Sequence, residues 1–439
     1  MMIKDENISS ENIISQDQSK FYDSVDPALS KYMQLAKERI FSLSAGNRIA
    51  KLVPFIMRVG FAKVLYAVDK LGVDTEQHKS FVIFSPDGTC TYNAERLKRG
   101  FSYGATIRSD FNGMISASNS MPNGCGFSIY KLQDDFTDEE RNRLIEKKQK
   151  ELGEDHLYHL SKGNHFAGLY DVLDPISGED TNDRYVVVHC SGHTGTQFLY
   201  NPETWLSEED GFHSVPTPHG IIYLLEGESK KRYIEKAQSG ERQNADNRTE
   251  IVEDIFGKGN FVLLEEVTHQ GISYDGYTHK LGVQMHKGLQ PIAFNAQEGL
   301  IAVREKRSLS KEFIESWDYY HTIKSLGLEN PLQTLNFTPH GAGYEFKKDI
   351  EDFRIHLNKE GISHISLDLI DTSSDSQDTK STTIPLTFNS FRNIREHMTY
   401  RRKFSVLREI FKADLIDHKF DLWPEKAIYP LVSIPGGSH

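Results

Sequence analysis

Leu29, Tyr32, Met33, Ala36 and Ile40 recur at offsets of three and four behind Asp26-Pro27. This spacing predicts a helix opened by a capping aspartate and a first-turn proline. A second helix is predicted from Phe55 to Leu71, stopped by Gly72. From Ser80 to Leu132 the pattern changes to short apolar runs between Gly, Asn and Ser. Phe81 to Phe84, Met114 to Ala117 and Phe127 to Leu132 read as strands. Thr137-Asp-Glu-Glu140 is a capping box ahead of a charged helix ending near Leu152. Further strands are expected at His165 to Val172, Tyr185 to Cys190, Gly220 to Leu225, Phe261 to Val267, Pro291 to Phe294, Leu300 to Val303 and Ile365 to Ile370. Helices are expected over Ser229 to Gln238, Glu250 to Phe256, Lys311 to Leu326, Glu345 to Leu357 and Phe391 to Phe411.

Strands interspersed with helices, without an internal repeat or a linker, predict a mixed α+β architecture in one large domain. The 439 residues, 38% hydrophobic, suffice for a substantial core. The polar first twenty residues are expected to be disordered, Asp371 to Thr383 to form a surface or disordered loop, and Gly436 to His439 to be an appended scar. The domain is therefore placed at residues 21–435. A net charge of −12 excludes a generally basic, phosphate-coating protein, so nucleic-acid contact would have to come from a local patch or a bound metal. The densest basic runs are Arg401-Arg402-Lys403 and Arg304 to Arg307. Arg58 and Lys63 interrupt the most apolar stretch, Leu52 to Val68, which is not read as a membrane span. With no secretion-signal layout and three cysteines lacking a CxxC pair, a reducing, cytoplasmic setting without a membrane partner is expected.

Walker A, GxGxxG, HExxH, GxSxG and EF-hand patterns are absent. What stands out is His and Cys beside glycine at strand ends. The set comprises Gly124-Cys125-Gly126, Gly163-Asn164-His165-Phe166, Val188-His189-Cys190-Ser191-Gly192, Thr268-His269-Gln270-Gly271 and Pro339-His340-Gly341-Ala342-Gly343. A rigid sheet ending in tight turns presents such side chains to a shared cleft. Imidazole suits Mn, Fe, Zn or Ni, and a thiolate can bridge two ions, so the pattern points to a metal centre.

In order along the chain, these elements resemble those of the RtcB-type RNA ligases, from about residue 95 to 435. The family carries Asp-x-x-Cys-Gly, Gly-Asn-His-Phe-x-Glu, His-Ser-Gly-Ser-Arg, Ala-His-Asn, His-Arg-Lys-Gly and His-Gly-Ala-Gly-Arg elements. This chain offers Cys125-Gly126, Gly163-Asn164-His165-Phe166, His189-Cys190-Ser191-Gly192, His269-Gln270, His279-Lys280-Leu281-Gly282 and His340-Gly341-Ala342-Gly343. The resemblance implies mixed sheets around a deep metal-binding cleft. It also implies a GTP- and Mn²⁺-dependent ligase that joins RNA 3′-phosphate or 2′,3′-cyclic-phosphate ends to 5′-hydroxyl ends, and leaves room for an activating protein partner. On that basis Cys125 would bridge two Mn²⁺ ions, His189 and His269 would complete the first site, and His165 would bind the second. His340 would attack the α-phosphate of GTP and carry GMP, with Asn164, Phe166, Gly341, Ala342 and Gly343 along the nucleotide.

Four positions depart from the family pattern. Pro122 stands where the family has a metal-binding Asp, Gly168 replaces a Glu, Tyr344 replaces an Arg, and Pro435 lies near a family Lys-Gly. The resemblance to the metal-binding elements is closer than that to the nucleotide-binding ones. Two alternatives stand beside the ligase: a metal-dependent RNA-end phosphodiesterase or phosphatase, and a non-enzymatic protein that binds RNA or a partner.

Overall fold

Seven strands form one antiparallel sheet, in the order Phe261–Thr268, Gly126–Leu132, Asp180–Cys190, Phe166–Leu173, Ile416–Ile428, Leu300–Glu305 and Leu289–Ala293. The sheet belongs to a computed structural model that describes residues 18–43, 48–75, 78–116, 118–133, 136–152, 165–191, 196–294, 298–306, 308–370 and 383–428. Its two edges curl toward each other into a half-barrel, where the Leu289 amide donates to the Glu265 carboxylate at 3.1 Å. The unbroken apolar run at Tyr185 to Val188 follows from burial on both faces. Val186 and Val188 pack with Ile251, Val252 and Ile255 of the helix Gly227–Phe256. Tyr185 and Val187 face inward, with Leu289, Leu300, Ala302 and Leu422.

Two four-stranded sheets flank it. One runs Thr278–Leu281, Tyr103–Arg108, Phe81–Thr89 and Ile40–Ser42; the other runs Tyr22–Asp23, Asp349–Asn358, Gly361–Ile370 and Thr383–Phe388. Between them the helix Val53–Lys70 buries nearly its whole circumference, including Arg58 and Lys63. The Arg58 guanidinium lies 4.7 Å from the centre of the Phe55 ring, and Lys63 Nζ donates to the His219 carbonyl at 3.1 Å. Among the described residues, no helix is long and apolar enough to cross a membrane.

Burial lowers the Lys63 pKa to about 7, with Arg99 reinforcing the shift. Between that value and the unfolded lysine value near 10.4, the unfolded chain holds a proton that the native chain does not. Native stability therefore gains from this group as pH rises through that window, and the gain is absent below pH 7. Lys63→Met should be more stable than the parent at pH 7. Its advantage should shrink by about 2–3 kcal/mol by pH 9.5, read from urea unfolding at both pH values.

Local signals at the caps are borne out. The Asp26 side chain accepts from the Ala28 amide, and the Thr137 hydroxyl and Glu140 carboxylate exchange bonds with each other's amides. Several extended readings need correction. The helix expected over Glu345 to Leu357 is two strands, Tyr344–Phe346 and Asp349–Asn358. A bulge between Ile350 and Asp352 puts Ile350 and Phe353 on one face, three apart, which imitates helical spacing in an alternating strand. Phe391 to Phe411 divides into a 3-10 segment Phe391–His397, a strand Met398–Tyr400 and a helix Lys403–Lys412. Lys311 to Leu326 divides at Trp317, whose backbone is extended.

Conversely, the two helices expected at Ser229 to Gln238 and Glu250 to Phe256 are one, because the polar Asn244 and Arg248 between them are buried and hydrogen-bonded. Met114 and Ile115 form isolated bridges rather than a strand, and Ile40 leaves its helix for a strand. Gln18 to Lys20, expected to be disordered, open a short helix, while residues 1–17 lie outside the described set. Residues 371–382 and 429–439 also lie outside it; Thr383, placed in the loop, begins a strand.

Candidate metal centre

The register of the half-barrel sheet brings the motifs together. Gly126 lies opposite Cys190 on one side and Thr268 on the other, and Phe166 lies opposite His189. Cys125, His269 and His165 are each one residue beyond those pairs, so they emerge at the same end of adjacent strands. Cys125 Sγ is 3.2 Å from His189 Nε2 and 3.4 Å from His165 Nε2, and His189 Nε2 is 3.3 Å from His269 Nε2. The donor atoms of Cys125, His189 and His269 all fall within 4.8 Å of one another, and all three residues are buried. Atoms bound about 2.0–2.3 Å from one ion sit roughly 3–4 Å apart, so these separations suit a shared cation. Phe127 stacks on His189 at 4.4 Å between ring centres and leans on His269 at 5.1 Å, which fixes both rings.

His340 arrives from a different segment. Its carbonyl accepts from the Ala293 amide at 3.0 Å, and the Ala342 amide donates to the Ala293 carbonyl at 2.9 Å. Its ring centre lies 4.7 Å from that of His269 and 6.4 Å from that of His189. Nδ1 of His340 is 2.8 Å from Oδ2 of Asp87, a fully buried carboxylate in the strand Phe81–Thr89. That bond leaves Nε2 as the nitrogen for chemistry. Gly343 has φ +64°, and a Cβ there would collide with the Asp87 carbonyl, so only glycine lets this loop close on that strand.

A cavity of about 200 Å³ joins these groups. Cys125, His165, His189 and His340 line it, together with Phe166 and the backbone at Gly341, Ala342 and Gly343. His269 sits immediately behind, fully buried, with Nδ1 lacking a hydrogen-bond partner. Asn164 lies outside the described residues. His279 is not brought to the cavity: it is buried opposite Ile107, and burial holds its pKa down at about 4. No protein-family model matches this chain, and no curated protein matches it.

Burial, reinforced by His340, His189 and Arg248, keeps His269 well below the usual imidazole range and hence neutral at pH 7. Burial pushes the Cys125 thiol far above the ordinary thiol range; Cys190 adds to this and Arg248 opposes it. A thiol and neutral imidazoles whose Sγ and Nε2 atoms converge fit a divalent ion, whose charge displaces the thiol proton. Among the described residues, no Asp or Glu joins the group that can hold an ion. At the position before Cys125 that the family pattern fills with Asp stands Pro122. The Asn123 side chain instead accepts from the Cys125 amide at 2.9 Å and shapes that turn.

Two supporting residues escaped the sequence reading. Asp87 was hidden because the apolar run was ended at Phe84, whereas the strand continues, buried, to Thr89. A carboxylate three residues after such a run and directly before Gly88 was the available signal. Arg248 is fully buried on the long helix and donates to Ser128 Oγ at 2.7 Å, to the Cys190 carbonyl at 2.9 Å and to Glu266. Those partners lie on the three strands that carry Cys125, His189 and His269. Gly126 is required there, because a Cβ would lie 2.6 Å from the Val267 carbonyl and 3.1 Å from the guanidinium.

Arg248→Met should cost roughly 3 kcal/mol in chemical unfolding, since it strands a buried carbonyl and a partly buried carboxylate. Adding Glu266→Gln should recover part of that loss. If the single variant unfolds like the parent, Arg248 does not tie the strands together.

Proposed function

We propose that the chain is a metal-dependent RNA ligase of the RtcB type, in which His340 carries GMP between GTP and an RNA 3′-phosphate. The observation that carries this reading is the meeting of Cys125, His165, His189 and His269 with an Asp87-held His340 around one cavity. A divalent ion held by Cys125, His189 and His269 would offset phosphate charge in a chain of net charge −12. Cys125 and His165 would offer a second, weaker position.

Within this reading Asp87 accepts the Nδ1 proton and so fixes the tautomer that presents a lone pair on Nε2. That pair forms a nitrogen–phosphorus bond to the α-phosphorus of GTP as the bond to the bridging oxygen breaks. Pyrophosphate leaves with the electron pair, and Asp87 supports the positive charge left on the ring. GMP then passes to the RNA 3′-phosphate, and the 5′-hydroxyl of the second strand displaces it.

A second reading is favoured around Gly168. The Tyr170 ring occupies the volume that a side chain at 168 would need, its Cε2 standing 2.6 Å from where a Cβ would be. A glutamate there would have to displace the Tyr170 ring, and Tyr344 replaces the family Arg. That combination supports a relative that opens cyclic phosphates at the metal without GTP. Incubation with α-³²P-labelled GTP and Mn²⁺ separates the readings. The ligase reading expects an acid-labile label on the protein. Opening of a cyclic phosphate by metal alone, with no label from any nucleotide, would favour the second reading. RNA binding indifferent to chelator, without turnover, would leave the non-enzymatic alternative.

A further inference from the structure

We propose that the outer face of the helix Lys403–Lys412 is a stacking platform that leads a single-stranded RNA end to the cavity. This rests on the RNA-end reading of the cavity. The helix buries Val406, Leu407 and Ile410 but leaves Phe404 73% and Phe411 46% exposed, among the most exposed aromatic side chains of the described residues. Phe404, Arg408 and Phe411 are spaced by four and three and so form one outward stripe. The two rings are about 10 Å apart along the axis, a span that a few nucleotides of extended strand can bridge.

Charge selects the occupant. From Arg402 to Lys412 there are four basic side chains and one acidic; Lys403 is paired with Asp421 at 2.7 Å, which leaves Arg402, Arg408 and Lys412 against Glu409 in a chain that is strongly acidic as a whole. Glu409 is shared by Arg408 at 2.7 Å and Lys412 at 3.5 Å, so that cluster remains net positive. Exposed aromatic rings interleaved with cations recognise unpaired bases and their phosphates, whereas a protein-docking helix of this kind would not need the surplus charge. Position completes the argument. Tyr400 and Phe294 line the cavity, Lys403 Nζ lies 6.0 Å above the centre of the Phe294 ring, and the helix starts at that rim. Arg401, by contrast, is buried and donates to the Gly88 and Ala342 carbonyls, so in the basic run Arg401 is structural, Lys403 is held by Asp421, and Arg402 is the exposed cation.

The test is fluorescence anisotropy of the full-length chain with a short fluorescein-labelled single-stranded RNA, against the same RNA annealed to its complement. The parent should prefer the single strand. Phe404→Ala and Phe411→Ala should each weaken it about tenfold, and Arg408→Gln should lower the slope of log affinity on log salt by about 0.7. Thermal unfolding and metal content should match the parent, since these side chains lie outside the centre. Unchanged affinity in both Phe variants would overturn the proposal. So would a parent dimer that Phe404→Ala dissolves in sedimentation, because a second copy would then cover the face. Nucleotide labelling of His340 with RNA binding indifferent to Phe404 would reject the platform and keep the ligase; the converse would reject the ligase and keep the platform.

Discussion

His340→Ala should abolish transfer of label from GTP, and Asp87→Asn should lower its rate by about 10²–10⁴-fold while leaving the metal bound. The reasoning starts from one hydrogen bond. Asp87 Oδ2 lies 2.8 Å from His340 Nδ1, and Asp87 has no exposed surface. A buried carboxylate in that place accepts the Nδ1 proton, directs the ring's lone pair to Nε2 and steadies the cation that forms on attack. An amide can present its N–H to the same nitrogen and so favour the wrong tautomer, the loss seen in other enzymes that orient a histidine this way. Quench-flow labelling with equal metal loading checks it. An Asp87→Asn variant as fast as the parent would show that the contact is structural only.

Cys125→Ala should weaken divalent-ion affinity by at least about 100-fold and eliminate labelling, whereas His165→Ala should keep the first ion. Cys125 is the sole sulfur donor of the buried group and is in contact range of both His189 and His165. Changes to groups that merely support a ligand already cost roughly 10–100-fold, so removing a charged ligand should cost more. His165 reaches Cys125 Sγ at 3.4 Å and meets the His189 ring edge-on at 5.3 Å, but it lies outside the group of three whose donor atoms converge and is less buried. Competition against a fluorescent chelator gives both affinities. Equal losses in the two variants would mean that the ions share their ligands in another way.

Much of the cluster was legible in the chain because its Cys and His residues sit where strands meet glycine. Gly126, Phe166 and Thr268 are the last paired residues of their strands at this end, so a run of apolar residues ending in His or Cys marks the rim of a sheet. The antiparallel register then converts separation along the chain into adjacency, which pattern alone cannot reveal. Elements set by local signals, the Asp26 cap and the Thr137 capping box, were equally legible. What failed did so where tertiary context overrides local spacing. The bulge at Ile350 counterfeits a helix, and Asn244 and Arg248 look like a polar break until their buried partners are known. Asp87 and Arg248 act through contacts with residues far away in sequence and carry no motif of their own.

The most direct measurement is an anomalous difference map, at a wavelength near the manganese edge, from crystals of the full-length protein grown with Mn²⁺. The account predicts a peak between Cys125 Sγ, His189 Nε2 and His269 Nε2, about 2.0–2.4 Å from each. A map with no density among those three atoms, in crystals that hold the ion elsewhere, would contradict it.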